Sequence, residues 1–441
     1  MHRSDWDTAA LRAADKRHIW HPFTPMGEWC AADHDPIVLV EGRGALLWDS
    51  DGREYIDGNS SIWTNIHGHN HPHINAAIRR QLDRVAHTSF LGFTNPAAIE
   101  LAQAIVALFP PDTLTRVFFS DDGSTGIEVA LRIVEQYWRL SGTPRNTFIA
   151  FRGGYHGDTA GAASLGASAM FNGPSGWHFP ARQIGTVAEL ESLSADHRQQ
   201  IAAVVIEPLV QGAAGMKLWP NGTLAALREW CNRTGALLIA DEVLTGFGRT
   251  GRMFACEHEE IIPDLIVLGK ALSGGYVPLA LTVTTEKVFK PFSGAPTDET
   301  TLFYGHSYTG NAVGCAAAKA SLDVFEAENV LGQLEPKIRL FEAELTTIAV
   351  LPFVQEVRQI GFIAAVDVRP SDAIAAPGCS AKAICRRARD YGLLTRPIRD
   401  TVVLMPPFCI SEEQLKAAVA ALRTAILDVC GAPELAETRQ R

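Results

Sequence analysis

The sequence predicts an α/β fold: a mostly parallel central sheet wrapped by helices, with a smaller α+β lobe made from the N- and C-terminal segments. Three observations carry this expectation. Between about residues 112 and 320, short apolar runs alternate with helical stretches, as in strand–helix–strand units. Several of the runs, among them Ala203-Val204-Val205-Ile206, Leu237-Leu238-Ile239-Ala240 and Leu265-Ile266-Val267-Leu268, are unbroken by polar residues and read as strands buried on both faces. Each closes on polar or charged groups, namely Glu207, Asp241-Glu242 and Gly269-Lys270. A chain of 441 residues exceeds what one core usually serves. The expected division is an N-terminal segment over 1–62, a large domain over 63–328 and a C-terminal domain over 329–441.

Residues 1–20 pattern as an amphipathic helix, with Trp6, Leu11, Ala14 and Ile19 on one face, and Pro22 and Pro25 forbid its continuation. Ile37-Val38-Leu39-Val40, Ala45-Leu46-Leu47-Trp48-Asp49 and Glu54-Tyr55-Ile56-Asp57-Gly58 follow as an antiparallel meander turning at Asp51-Gly52. Helices over 73–85 and 96–109 lead to the strand Arg116-Val117-Phe118-Phe119-Ser120 and, after a turn of small residues, a helix over 127–140. The strand Thr147-Phe148-Ile149-Ala150-Phe151 opens into Arg152-Gly153-Gly154-Tyr155-His156-Gly157-Asp158. Residues 164–196, rich in Gly, Ser and Pro, read as an irregular excursion, and 224–232 as a helix. Residues 279–284 read as a strand near the sheet edge, 303–311 as a polar loop, and 312–348 as a helical region broken near Asn329. Strands at 361–368 and 401–405 with helices at 381–391 and 411–429 make the second lobe, and 431–441 a loose tail.

A net charge of −10 speaks against nucleic acid or an anionic membrane as a partner. No apolar run reaches the roughly 18 residues of a membrane helix, and the first twenty residues hold no signal-peptide core. The eight cysteines are scattered without C-x-x-C spacing, the pattern of reduced thiols, so a cytoplasmic protein is expected. His67, His69, His71 and His73 alternate as ligands on a strand would, but Gly68 and Pro72 interrupt any strand and no Cys or carboxylate cluster stands nearby. No metal is expected.

Open α/β sheets bind ligands outside the carboxyl ends of their strands. Asp241 and Lys270 would therefore share one crevice, and that pairing suits pyridoxal phosphate: a lysine to form the Schiff base and an acid to keep the pyridine nitrogen protonated. The turn at Gly123-Ser124 leaves backbone N–H groups at a helix N-terminus for a phosphate, although Ser124 as a plain N-cap accounts for it equally well. Tyr155 or His156, flanked by glycines, could stack on a flat ring. A rival lies in Gly246-Phe247-Gly248-Arg249-Thr250-Gly251, which satisfies G-x-G-x-x-G and would make the protein a nicotinamide-dependent oxidoreductase. Its context is wrong: five residues separate it from the strand tip and no helical stripe follows, so it reads as a glycine-rich loop.

Glu207-Pro, Asp241-Glu-Val243, Thr245-Gly-Phe-Gly-Arg-Thr-Gly251 and Gly269-Lys-Ala-Leu-Ser-Gly-Gly275 resemble the class III, fold type I pyridoxal phosphate aminotransferases. Within that class the chain is similar, over nearly its full length, to the 7,8-diaminononanoate synthases of biotin biosynthesis. Trp20-His-Pro-Phe-Thr-Pro-Met26, Asp57-Gly-Asn-Ser-Ser61, His67-Gly-His-Asn-His-Pro72, Gly154-Tyr-His-Gly-Asp-Thr159, Val210-Gln-Gly212, Phe254-Ala-Cys-Glu-His258 and Leu404-Met-Pro-Pro-Phe408 carry the narrower match. The resemblance implies that Lys270 bonds the cofactor, Asp241 holds its ring nitrogen, Tyr155 stacks on it, and Gly123 and Ser124 hold its phosphate. It implies a homodimer in which His306 and Ser307 reach the phosphate bound by the other subunit. It places Phe23, Ile62, Trp63, Tyr155 and Gly305 along the substrate channel and Arg396 on the carboxylate of 8-amino-7-oxononanoate. The donor it implies is S-adenosylmethionine. Ile62-Trp63 stands where users of that donor commonly carry two tryptophans, and Phe23 where they carry tyrosine. The loop 305–311 and Leu394-Thr-Arg-Pro397 are closer to the lysine-using branch, so lysine is the alternative donor and another class III ω-aminotransferase the alternative enzyme.

Overall fold

A strand that is apolar on both faces must find partners along both edges and cover above and below, and that demand organises this chain. The computed structural model describes residues 6–166, 179, 181–295, 299–368 and 379–431. Helix α1 (Thr8–His18) starts at Asp7, whose carboxylate accepts from Ala10 N. The antiparallel meander β1 (Leu39–Arg43), β2 (Leu46–Asp49) and β3 (Glu54–Asp57) follows. β1 runs on through Glu41-Gly42 to a turn at Gly44, rather than ending at Val40 as the apolar run implied. α2 (Pro72–Leu82) and α3 (Pro96–Val106) each begin on proline, whose missing N–H is no loss at a first helical position.

The central part of the chain comprises β4 (Leu114–Ser120), α4 (Gly123–Leu140), β5 (Thr147–Phe151), β6 (Arg182–Ile184), β7 (Ile201–Ile206), α5 (Thr223–Thr234), β8 (Leu237–Asp241), β9 (Leu265–Leu268) and β10 (Ala280–Thr285). Its sheet has the order β4-β10-β9-β8-β7-β5-β6, and only β10 runs against the rest. β8 sits at the centre and shows why an unbroken apolar run is needed there. Leu237 and Ile239 pack on one face with Ile127, Val134 and Trp138 of α4, while Leu238 and Ala240 face the other core with Trp230 of α5.

Three expectations are corrected. β10, read as near the edge, lies one strand in, and β4 is the edge. Its alternating Thr282 and Thr284 mimic a half-exposed strand, but their hydroxyls are buried donors to Gly126 O at 2.8 Å and Asp264 O at 3.0 Å. α4 begins at Gly123, four residues early, because Asp122 and Thr125 form a capping box; Ser124 is not the cap. The irregular stretch at 164–196 contains β6 in the central sheet, although 167–178 and 180 lie outside the described residues.

α6 (Ala312–Ala327) and α7 (Val330–Ala349) lead into β11 (Val354–Ile360), β12 (Ile363–Val368), α8 (Ala381–Ala388), β13 (Leu393–Leu394), β14 (Pro397–Ile398), β15 (Thr401–Leu404) and α9 (Glu412–Cys430). β11, β12, β15 and β14 form an antiparallel sheet. β11 escaped the sequence reading because Gln355, Glu356, Arg358 and Gln359 dominate it; apart from Val354 it is half-buried or exposed. β13 pairs in parallel with β3, so the two ends of the chain share one sheet. The expectation that all eight cysteines are free thiols is corrected: Cys379 and Cys430 form a disulfide between the start of α8 and the end of α9. The tail beyond Gly431 lies outside the described residues. Among the described residues no helix is long and apolar enough to cross a membrane.

The glycine-rich loop at 246–251 is a turn wedged against the C-terminal sheet, with Phe362 N donating to Arg249 O at 2.8 Å. Gly361 makes that contact possible. It has φ +53°, and a Cβ there would lie 2.3 Å from the Thr250 carbonyl carbon. Gly361→Ala is expected to lower unfolding free energy by about 1–3 kcal/mol, measured by urea denaturation. An unchanged midpoint would mean that this seam yields freely.

Candidate active site

The carboxyl ends of β4, β5, β7, β8 and β9 converge on a cavity of about 440 Å³. The residues lining it include Trp63, Asp121, Asp122, Gly123, Ser124, Tyr155, His156, Glu207, Asp241 and Lys270. This is the crevice the strand order dictates, since β8 and its neighbours β7 and β9 run in parallel and end together.

Successive side chains on a strand point to opposite faces, and that rule separates the two acids at the tip of β8. Asp241 faces the cavity, 5 % exposed, and its Oδ2 lies 2.7 Å from His156 Nδ1 while Oδ1 accepts from Val243 N at 3.2 Å. Glu242 faces away. It is fully buried and accepts from Ala255 N, Cys256 N and the Thr245 hydroxyl, so it ties the glycine-rich loop to the core. Burial pushes the Glu242 carboxyl up from its ordinary range.

The loop after β5 is stapled at four points. Tyr155 N donates to Glu207 Oε1 at 3.0 Å, His156 meets Asp241, the Tyr155 hydroxyl donates to Asp158 at 2.8 Å, and Asp158 N donates to Ser124 Oγ at 3.1 Å. Glu207 Oε2 also accepts from Gly212 N at 2.9 Å. Burial, opposed by the charge of His156, pushes the Glu207 carboxyl up to about 7. For His156, burial disfavours the charged ring, but the hydrogen bond and charge of Asp241 and the charge of Glu207 outweigh it and raise the pKa. With a proton on Nδ1, His156 donates to Asp241 and braces it.

Gly123 and Ser124 are the first two residues of the 18-residue α4, where N–H groups lack intrahelical acceptors. A side chain on Gly123 would meet Val243 Cγ1 at 2.7 Å, and one on Gly157 would meet Ser124 Oγ at 2.3 Å. The cradle is open only because both positions are glycine. Lys270 stands opposite, in the left-handed region at φ +40°. Burial lowers its pKa, and the charges of Asp241 and Glu207 work against that fall. Its Nζ lies 4.9 Å from the centroid of the Trp63 ring. An amine with a lowered pKa, a buried acid, an aromatic ring and a helix N-terminus around one cavity fit pyridoxal 5′-phosphate, which presents an aldehyde, a ring nitrogen, a flat face and a phosphate.

Lys270, Asp241, Tyr155, Gly123, Ser124 and Trp63 are thus brought together. Phe23, Ile62, Gly305, His306, Ser307 and Arg396 are not among the cavity's lining in this single chain. Phe23 and Ile62 are exposed, Arg396 lies exposed between β13 and β14, and His306 stands 3.7 Å from Asp121 on the 303–311 loop. The part of His156 under Asp241 was missed, although its place beside Tyr155 between glycines was visible. The alternating histidines take separate partners: His67 meets Ser321, His69 Asp57, His71 Glu328 and His73 Asp323.

Comparison with known proteins matches residues 29–426 to the family described as aminotransferase class-III. The adenosylmethionine-8-amino-7-oxononanoate aminotransferase of Geobacter sulfurreducens is 42% identical, over 97% of this chain and 99% of that protein. The crystal structure of the enzyme of that name from Methanocaldococcus jannaschii superposes with a TM-score of 0.92 at 36% identity, covering 96% of this chain and all of that one. An amine transaminase from an uncultivated Pseudomonas species, solved with pyridoxal phosphate bound, has a TM-score of 0.86 at 32% identity, covering 94% and 99%.

Glu207 provides a pH test. Its carboxyl holds a proton up to about 7 when folded but only to about 4.5 as a free group, so between those values unfolding releases a proton. Stability is therefore lost as pH rises through that window and levels off above it. Glu207→Gln cannot ionise; its amide also turns a donor toward Tyr155 N or Gly212 N, which lowers its stability at every pH. Wild type is expected to lose ground relative to Glu207→Gln from about pH 4.5 to 7, by an amount on the order of 3 kcal/mol. Urea unfolding at a series of pH values measures it, and a difference independent of pH would refute the buried, protonated acid.

Proposed function

This chain belongs to the class III aminotransferases, and from that premise we propose that it moves an amino group from S-adenosylmethionine to 8-amino-7-oxononanoate, giving 7,8-diaminononanoate for biotin biosynthesis. Class III aminotransferases depend on pyridoxal 5′-phosphate. The observation that carries the reading of the site is the convergence of Lys270 and Asp241 on one cavity beside the open N-terminus of α4.

When bound, the cofactor supplies an electron sink and a carbon that holds the amino group between the two halves of the reaction. Lys270 would bond that carbon at rest; once released, its amine would carry a proton between the substrate carbon and the cofactor. The lowered pKa of Lys270 suits this, because a permanently charged ammonium accepts no proton. Asp241, braced by His156, would keep the proton on the ring nitrogen. Tyr155 would cover one face of the ring, and Gly123 N, Ser124 N and Ser124 Oγ would hold the phosphate. Trp63 would border the path of an aliphatic acceptor, and Arg396 would meet its carboxylate.

The proposed assembly is a homodimer with shared sites. Among the described residues lining the cavity, Asp121, Asp122 and Asp241 outnumber Lys270 and His156, so a phosphate beside Asp121 and Asp122 calls for further donors besides the N-terminus of α4. The partner's His306 and Ser307 would supply them. Leu91, Phe93, Phe303 and Tyr308 are 84, 70, 90 and 63% exposed, and His87 binds Ser307 O at 2.8 Å, which sets their two loops side by side. An apolar patch of this kind beside a site short of cations supports a second copy as its cover.

The protein is expected to aminate 8-amino-7-oxononanoate, with S-adenosylmethionine giving the highest kcat/KM among S-adenosylmethionine, lysine and simple ω-amines. A clear preference for lysine moves the chain to the other donor branch; no turnover of the oxo acid with any donor refutes the acceptor. Lys270→Ala is expected to cut kcat by at least about 10²-fold. Borohydride treatment of the holoprotein should add the cofactor's mass to the peptide containing Lys270, and a mass on any other peptide overturns that assignment.

A further inference from the structure

The segment Ser60–Trp63 places three residues other than glycine in the left-handed region: Ser60 at φ +45°, Ser61 at +61° and Trp63 at +69°. Such a run does not persist unless its surroundings hold it. What holds it is Asp57, 1% exposed at the end of β3. Its two carboxylate oxygens accept from Ser61 N at 2.9 and 2.8 Å and from Asn59 N at 3.3 Å. Oδ2 also lies 2.8 Å from His69 Nε2.

His69 is itself fixed. Its backbone exchanges two hydrogen bonds with Gly44, and its Nδ1 stands 3.5 Å from the Asn65 amide nitrogen, so Nε2 is left to donate to Asp57. The turn built on Asp57 then grips the indole of Trp63 from the same end. Trp63 N donates to Asn59 O at 2.9 Å and Trp63 Nε1 to Asn59 Oδ1 at 2.9 Å, while Ser60 Oγ anchors the turn to Met405 O at 2.7 Å. The amine of Lys270 lies 4.9 Å from the centroid of that indole. Asp57 and His69 are not among the residues lining the cavity.

We propose that Asp57, oriented by His69, is a positioning residue: by folding the Ser60–Trp63 turn it sets the indole of Trp63 against Lys270 and fixes the width of the acceptor's path. This rests on the reading above only in taking an aliphatic ketone as the molecule that passes Trp63. Asp57→Asn keeps the shape but turns a donor toward Ser61 N or His69 Nε2, so the turn relaxes and the indole moves. His69→Gln can still donate to Asp57, and His69→Leu cannot.

The test is a double-mutant cycle on the holoenzyme, with kcat and KM for the acceptor at saturating donor and a thermal midpoint for each variant. Asp57→Asn and Trp63→Ala are each expected to raise the acceptor KM by about fivefold or more, and the double variant to lie within about twofold of Trp63→Ala alone. His69→Gln should stay within about twofold of wild type and His69→Leu should match Asp57→Asn. If the two KM effects multiply, or if Asp57→Asn lowers the midpoint and leaves KM unchanged, the residue is a structural anchor and the proposal fails. Should Asp57→Asn not fold, the cycle is run with His69→Leu and read the same way. If wild type does not use 8-amino-7-oxononanoate, it is the acceptor assignment that fails, and the cycle is run with whichever ketone wild type aminates.

Discussion

The contact between His156 and Asp241 is the constraint on which the rest of this site is built. Both groups are buried, and a buried carboxylate is tolerated only with a partner in hydrogen-bonding position. Asp241 comes from the central strand, where the apolar run fixes its height and the period of two fixes its direction. His156 comes from a loop that has no such scaffold. Its position therefore depends on the staples around it: Glu207 holding Tyr155 N, Ser124 Oγ holding Asp158 N, and a glycine at 157 that lets the loop pass over Ser124. Each staple starts from a different strand tip or from the N-terminus of α4. One hydrogen bond thereby couples Asp241, Tyr155 and the N-terminus of α4 into a single unit.

That coupling explains which parts were legible in the sequence. The strand tips were, because an unbroken apolar run followed by a charged residue locates both the strand and its end; Asp241 and Lys270 could be assigned to one crevice from that alone, while Glu207 stood only as a third such tip. The family resemblance narrowed the alternatives that the residues left open at Tyr155, Gly123 and Ser124. What stayed hidden was any property set by contacts distant in sequence. Alternation along β8 could have shown that Glu242 turns away from Asp241, yet nothing local says that it anchors Ala255 N and Cys256 N. Thr282 and Thr284 looked solvent-facing because their acceptors belong to α4 and to the segment before β9. The pairing of Cys379 with Cys430 depends on how α8 meets α9, which no spacing rule encodes. Phe23, Ile62, Gly305, His306, Ser307 and Arg396 differ again: their expected roles came from resemblance, and in a single chain none of them lines the cavity, although His306 stands 3.7 Å from Asp121, which does.

The position of Lys270 shows how the fold tunes one amine. The residue leaves β9 through Gly269 into a short 3₁₀ turn in the left-handed region, a conformation costing roughly 1–3 kcal/mol for a residue other than glycine. Strain on this side of the cavity is matched by strain on the other, in the turn that carries Trp63. Neither segment could keep its shape in isolation; both are closed on elements anchored elsewhere, Lys270 by the buried β9 and Trp63 by Asp57 and Met405 O. The amine is consequently held between an indole face, two acids and an apolar wall. Burial lowers its pKa, while Asp241 and Glu207 work against that fall. Its proton is therefore held less tightly than that of an exposed lysine. If either strained segment relaxed, the amine would gain water and its pKa would rise, so the stiffness of the two walls helps to hold it low.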